Sequence, residues 1–207
     1  MSKVKLAVVF YSSTGTNYKM AKWAAEGAEA AGAEVKILKV RELMPQSVID
    51  ADPLKTAHQK NVAEVPDVKP EDLDWADGIV FSVSARFGNM ASPMKALFDS
   101  LGGLWAEGKL LNKVVSSMSS AQNPHGGQEA SILSLYTAMY HWGAIVAAPG
   151  YTDASIFGAG GNPYGTSVTV SGDGVIQGDE EKLKAAIMHQ AKRTVEVAGW
   201  VKQGMGK

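Results

Sequence analysis

Residues 12–17 read Ser-Ser-Thr-Gly-Thr-Asn. Four hydroxyls, one glycine and one amide stand together, between an apolar run at 6–11 and a helical pattern. Free N–H groups at a helix N-terminus attract an anion, and hydroxyls beside them can donate to phosphate oxygens. Gly15 permits a tight turn. No Gly-Lys-Ser/Thr triplet aims a lysine at a β/γ-phosphate, and no G-x-G-x-x-G follows the run for a pyrophosphate. The uncharged cradle of Ser12, Ser13, Thr14, Gly15, Thr16 and Asn17 therefore suits one terminal phosphate. A Ser/Thr turn that only caps a helix is the plain alternative; its place after the first apolar run favours the phosphate.

Two more loops carry candidate groups. Ser84-Ala85-Arg86-Phe87-Gly88-Asn89-Met90 combines small residues, which let a planar group approach the backbone, with a cation and an aromatic ring. Arg86 can polarise an electron-rich ring, and Phe87 can wall it. Ser119 to Gln128, including Ser120, Ala121, Gln122, Asn123, His125 and Gly126, is a second small-polar, glycine-containing loop. Either loop alone reads as a surface turn. All three at corresponding positions point to one ligand site.

The elements that must position these loops are legible in the periodicity. Residues 6–11 form a continuous apolar run, as in a strand buried on both faces. Residues 18–31 repeat small apolar residues at spacings of three and four, with Gly32 placed to end the helix. Strands are expected at 34–40, 77–83, 112–119 and 143–148. Helices are expected from Ser92, as cap, to Leu101, with Pro93 at the first position, and over 129–141. Asp179 caps a last helix whose apolar face includes Leu183, Ile187, Ala191 and Val195. The proline-punctuated segment 41–72 reads as a long connection with short helical pieces. Residues 150–178 hold eight glycines and no periodic element. Five β-runs alternating with helices predict a doubly wound α/β fold with a five-stranded parallel sheet. Such sheets bind ligands beyond the carboxyl ends of their strands, where strand order reverses.

Composition narrows the chemistry. The 207 residues, 45% hydrophobic and 20% charged, fit one domain. The net charge is −1, with no basic stripe to support nucleic-acid binding. The absence of cysteine excludes disulfides, Fe–S clusters, thiolate catalysis and Cys-based zinc sites. His58, His125, His141 and His189 show no metal-ligand spacing, so no metal is expected. No apolar run approaches the roughly 18 residues of a membrane span. A soluble cytoplasmic protein is expected. Trp23 and Trp200 fall in helices and read as core or interface.

The motifs, taken in order, also carry a family resemblance. Tyr11-Ser12 and the Thr/Gly loop after it resemble the phosphate loop of flavodoxin-like proteins. Ala85 to Met90, Gly102-Gly103-Leu104-Trp105, Gly126-Gly127-Gln128-Glu129, Pro163-Tyr164-Gly165 and Gly172-Asp173-Gly174 resemble the WrbA-type NAD(P)H:quinone oxidoreductases. The resemblance spans nearly the whole chain. It implies a single flavodoxin-like domain over 1–207, FMN as cofactor, NADH or NADPH and a quinone as substrates, and a homotetramer. It implies that Ser12 to Asn17 hold the ribityl phosphate. Ala85, Arg86 and Phe87, with Gly88 in their turn, would contact the isoalloxazine ring. Ser120 to Asn123, with Gly126, would border the pyrimidine side and ribityl chain. His141 would be a further flavin contact, Trp105 would line the substrate cleft, and Thr14 would touch the nicotinamide nucleotide. Two departures stand out: Thr14 replaces an aromatic residue of some relatives, and Gln122-Asn123-Pro124-His125 replaces a stretch richer in glycine and threonine.

An enzyme that moves two electrons is the leading expectation, with no side chain acting as a nucleophile. The alternative is a one-electron, flavodoxin-like carrier. Such carriers present a strongly acidic face to their partners, which a chain of net charge −1 does not favour.

Overall fold

Strand β1 (Lys5–Tyr11) is buried from Leu6 onward. A run without polar alternation needs apolar cover on both faces, and the central position in a parallel sheet supplies it. The computed structural model describes residues 2–206. After β1 come α1 (Thr16–Ala30), β2 (Glu34–Lys39), α2 (Gln46–Asp50), α3 (Pro53–Asn61), α4 (Pro70–Trp75) and β3 (Gly78–Arg86). Next are β4 (Asn89–Met90), α5 (Ser92–Ser100), α6 (Gly102–Ala106), β5 (Val114–Ala121) and α7 (Gln128–His141). The chain continues with β6 (Ile145–Val146), α8 (Ala154–Gly158), β7 (Ser167–Thr169) and α9 (Glu180–Gly204).

The parallel path runs β2-β1-β3-β5-β6, the doubly wound, flavodoxin-like order. Strand order reverses between β1 and β3. Two short strands lie off this path, so the sheet has seven strands rather than the expected five. β4 pairs antiparallel with β3 through the turn Phe87-Gly88, whose φ angles of 51° and 77° suit a tight hairpin. A two-residue strand has no periodicity to read. The expected strand at 143–148 contracts to β6, because β5 shares that edge between two partners. Val114 and Val115 pair with β6, whereas Ser119 to Ala121 pair with β7. β7 and α8 both fall in the glycine-rich stretch expected to lack regular structure. Asp153 caps α8 by accepting from the Ser155 N–H at 2.8 Å.

Alternate residues of β1 face opposite cores, as the period of two requires. Leu6, Val8 and Phe10 pack with Met20 and Ala24 of α1 and Leu183 and Ile187 of α9. Ala7, Val9 and Tyr11 belong to the core formed with Met94 and Phe98 of α5 and Leu135 and Met139 of α7. Trp23 is buried here, but Trp200 is exposed and belongs to neither core. Its helix turns that face to solvent.

The helix ends follow local chemistry. Gly32, at φ 85°, ends α1: its N–H reaches Glu29 C=O at 2.9 Å, and Ala33 N–H reaches Ala28 C=O at 3.1 Å. These two bonds make a Schellman ending. Asp179 caps α9 by accepting from Lys182 N–H at 3.2 Å. At α5 the expected register is one residue late: Ala91 is the cap, and Ser92 and Pro93 lie in the first turn. Proline without an N–H is tolerated there because helix-start donors are unpaired in any case.

Candidate functional site

Asn17 holds the site together. It is almost completely buried, and its Nδ2 donates to Ser84 Oγ at 2.9 Å and Ser120 Oγ at 2.8 Å. Ser82 Oγ donates to the Asn17 carbonyl and to its Oδ1, each at 3.1 Å. One amide thus joins the start of α1 to the ends of β3 and β5. The loop before it closes on itself, with Gly15 N–H donating to Ser12 Oγ at 2.9 Å. Gly15 caps α1 at φ 108° and has no side chain to occupy the helix N–H groups. Those donors, the hydroxyls of the loop and the positive end of the helix are the components of an anion site.

The loops after β3 and β5 meet as bare backbone. A Cβ added to Gly127, which stands at φ 83°, would lie 2.4 Å from Gly88 Cα. Behind β5, a Cβ on Gly165 would lie 1.9 Å from the Ser117 carbonyl oxygen. That contact accounts for the glycine of Pro163-Tyr164-Gly165. Tyr136 of α7 fixes the same segment: its OH donates to Tyr164 C=O at 2.6 Å and accepts from Ser117 N–H at 3.1 Å.

Between these loops lies a cavity of about 730 Å³. Ser12, Ser13, Thr14 and Thr16 line one end, Ala85, Arg86, Phe87 and Gly88 a second wall, and Ser120, Ala121, Gln122, Asn123 and Gly126 a third. The three loops picked out by residue type therefore converge. Gly15 and Asn17 are part of the framework and do not line the cavity. Arg86 Nη2 donates to Ser13 Oγ at 2.7 Å, and Nη1 donates to Ala85 C=O at 3.1 Å. The guanidinium is thus turned toward the hydroxyl loop. Phe87 is fully exposed at the cavity rim.

His141 and Trp105 stand elsewhere. His141 lines a neighbouring, more apolar cavity of about 850 Å³, which shares Arg86 and Phe87 with the first. The α7 helix ends at His141. Trp105 is exposed on α6, with its Nε1 donating to His141 C=O at 3.0 Å. Leu104, beside it, packs on the core. His189 is partly buried and hydrogen bonds Thr152 Oγ1 at 2.8 Å.

Several groups at the cavity were not legible in the sequence. Asp52 caps α3 by accepting from Leu54 N–H, and its other oxygen pairs with Lys55. Both residues line the hydroxyl end, bringing a cation to an otherwise uncharged cradle. Asp52-Pro53 is a helix-start pattern, but nothing local says that this helix folds back over residues 12–16. Ser171 and Gly172 close the cavity from the segment after β7. On the other side of the loop, Tyr11 OH donates to the Glu42 carboxylate at 3.0 Å. Burial and the adjacent carboxylate push the Tyr11 phenol up to about 12, while the Ser13 hydroxyl and Arg86 oppose them.

The arrangement fits FMN. The volume suits a ligand of that size, and hydroxyls, uncapped helix donors and Lys55 suit a phosphate monoester. Small strand-end residues leave room for a flat ring beside Arg86. Among the described residues, no cluster of three or more His, Cys, Asp or Glu side chains could hold a metal ion. No described helix is long and apolar enough to cross a membrane.

Comparison with known proteins agrees. Residues 5–156 match the family model described as NADPH-dependent FMN reductase. The NAD(P)H dehydrogenase (quinone) of Deinococcus radiodurans is 54% identical over 194 residues, covering 94% of this chain and 95% of that protein. A protein of the same name from Aromatoleum aromaticum is 38% identical over 206 residues, covering 97% of this chain and 99% of its own. In structure, the WrbA-like flavodoxin of Agrobacterium tumefaciens aligns with a TM-score of 0.60 at 17% identity, covering 97% of this chain and 99% of that one. A flavodoxin from the domain Archaea gives 0.60 at 17%, with 96% and 99% covered. These last two bear on the fold alone.

Proposed function

The chain belongs to the NADPH-dependent FMN reductase family, and from that premise we infer that it is an NAD(P)H:quinone oxidoreductase. Bound FMN supplies the redox chemistry, taking reducing equivalents from NADH or NADPH and giving two electrons to a quinone. The observation that carries this reading is the cavity itself. It opens at the carboxyl ends of β1, β3 and β5, with a hydroxyl loop at the uncapped start of α1.

The protein's own residues bind, orient and exclude. Ser12, Ser13, Thr14 and Thr16 hold the phosphate, with Lys55 as the nearby cation. Arg86 bridges the phosphate loop and the ring site through Ser13, and so places its charge beside the ring. Ala85, Ala121 and the glycines keep the ring's wall thin. Gln122 and Asn123 offer amides to the polar edge. None of these groups needs to form a bond to substrate.

We read residues 1–207 as one flavodoxin-like domain, supported by a single sheet between two apolar cores. The substrate side is completed by assembly into a homotetramer. Supporting this, Trp105 and Tyr140 are exposed beside His141, and Phe87 is bare to solvent in a single chain. A neighbouring subunit would bring Trp105 and His141 to the flavin that their own chain leaves them away from. The location we propose is cytoplasmic, where NADH and NADPH are generated.

The decisive test is spectroscopic. Purified protein should carry a flavin absorption band that NADPH or NADH bleaches without oxygen and benzoquinone restores. A band that neither nucleotide changes refutes the enzyme. Sedimentation over a dilution series should show a tetramer that loses activity as it dissociates; a fully active monomer refutes the assembly.

A further inference from the structure

His58 is a buried imidazole that nothing above employs. It lies on α3, with only 7% of its surface exposed. The Ser12 carbonyl lies beside its ring. Its Nδ1 comes within 3.6 Å of where a Cβ on Gly15 would stand. The ring therefore backs both ends of the turn that Gly15 N–H and Ser12 Oγ close. Lys55, one helical turn earlier on α3, reaches the edge of that turn and lines the space on both sides of it.

We propose that His58 is a proton-linked positioning residue of the phosphate loop: it braces Ser12 to Gly15 from behind, and takes up a proton when a phosphate monoester occupies the front. This rests on the reading that the loop binds the FMN phosphate.

The surroundings set the direction. Burial favours the neutral ring and holds His58 below the ordinary histidine range; the Ser12 carbonyl and the Glu42 carboxylate pull weakly the other way. The ring lines a second cavity, of about 350 Å³, behind the loop. From β1 and the β2 end, Tyr11, Lys39, Arg41 and Glu42 face this space; from α3 and beyond, Lys55 and Asp67 do. From α1, the Tyr18 ring stands 6.3 Å away, with Lys22 over its far side. Much of this charge is already engaged: Glu42 by Tyr11, Lys55 by Asp52, and Lys39 by Asp67 at 3.7 Å. A phosphate dianion in front of the loop would be a new negative charge near the ring, separated from it by one layer of backbone. Opposite charge close by favours the protonated imidazole. Because a proton carried more readily in the bound state is taken up on binding, affinity must rise as pH falls through the His58 midpoint.

The test is NMR of the histidine rings in the full chain. FMN-loaded protein is compared with flavin-free protein, and His58 is assigned by the signal lost in His58→Gln. The His58 midpoint should rise by about one pH unit or more on loading with FMN, and stay put with riboflavin, which lacks the phosphate. In a parallel titration, wild-type FMN affinity divided by that of His58→Gln should rise about threefold or more between pH 8 and pH 5.5, a ratio that cancels the phosphate's own ionisation. An unmoved midpoint in FMN-loaded protein overturns the proposal and leaves FMN binding intact. FMN bound no more tightly than riboflavin at any pH would instead sink the phosphate-loop reading beneath it. The midpoint is measured on wild-type protein, and should His58→Gln fold poorly, the His58 signal is the one that His125→Gln, His141→Gln and His189→Gln each leave in place.

Discussion

Replacing Asn17 with alanine should loosen the whole ligand-binding end of the sheet. The change removes three side-chain hydrogen bonds: Nδ2 to Ser84, Nδ2 to Ser120, and Ser82 to Oδ1. All four residues are buried, although Ser84 and Ser120 also border the cavity. At about 0.5–1.5 kcal/mol net for each bond, the loss is roughly 3 kcal/mol, before any cavity cost. For a chain of this size that is a fall in Tm of roughly 6–12 °C. Urea unfolding of flavin-free protein, followed by circular dichroism, measures the first number, and calorimetry the second. FMN affinity should fall at least tenfold beyond the stability loss, because the start of α1 is no longer tied to the ends of β3 and β5. Ser84→Ala, which removes one bond, should cost about a third as much. A loss under about 0.5 kcal/mol in Asn17→Ala would mean that the strand ladders alone hold the three loops in place. A large stability loss with unchanged FMN affinity would separate Asn17 from the site.

Three further outcomes are expected. Thr14 and Thr16 changed together to valine should weaken FMN by tenfold or more and leave riboflavin nearly unaffected, as read by fluorescence quenching; equal effects on both would place the phosphate elsewhere. Arg86→Ala should lower the flavin reduction potential, since the cation favours the reduced, anionic ring; an unaltered potential and turnover would leave Arg86 a surface residue. For Tyr11, the folded phenol titrates near 12, above the ordinary 10. Its contribution to stability is therefore complete below pH 10 and disappears as pH rises toward 12. Glu42→Gln should lower that midpoint in a spectrophotometric titration of the phenol, and an unchanged midpoint would mean that burial alone sets it.

The parts of the molecule that were legible are those where local pattern and tertiary context agree. The unbroken apolar run of β1 could only be central, and the small-residue face of α1 fixed its helix to within two residues. The three site loops were found because hydroxyls, glycines and one arginine fall where parallel strands must end. Two-residue strands were not legible. β4 depends on Phe87 accepting a positive φ, and β6 and β7 depend on how one long strand divides its edge. The contributions of Asp52, Lys55 and His58 were hidden for another reason. A polar, proline-rich segment has no apolar stripe, so its sequence does not say which surface it covers. His141 matched a flavin contact by type and position, yet its own chain turns it toward the neighbouring cavity.

The contact between Gly88 and Gly127 bears on how this site can diverge. Because backbone meets backbone there, the loops after β3 and β5 are anchored at a point where Gly127 tolerates no side chain. Gln122 to His125 hang free of that anchor, exposed at the cavity mouth. Variation should therefore accumulate between fixed posts: residues 122–125 can change in length and chemistry, recutting which molecules are admitted, while the ring's seat stays where it is. A library randomised at those four positions is the economical route to altered selectivity, and one that touched Gly127 would lose the pocket itself.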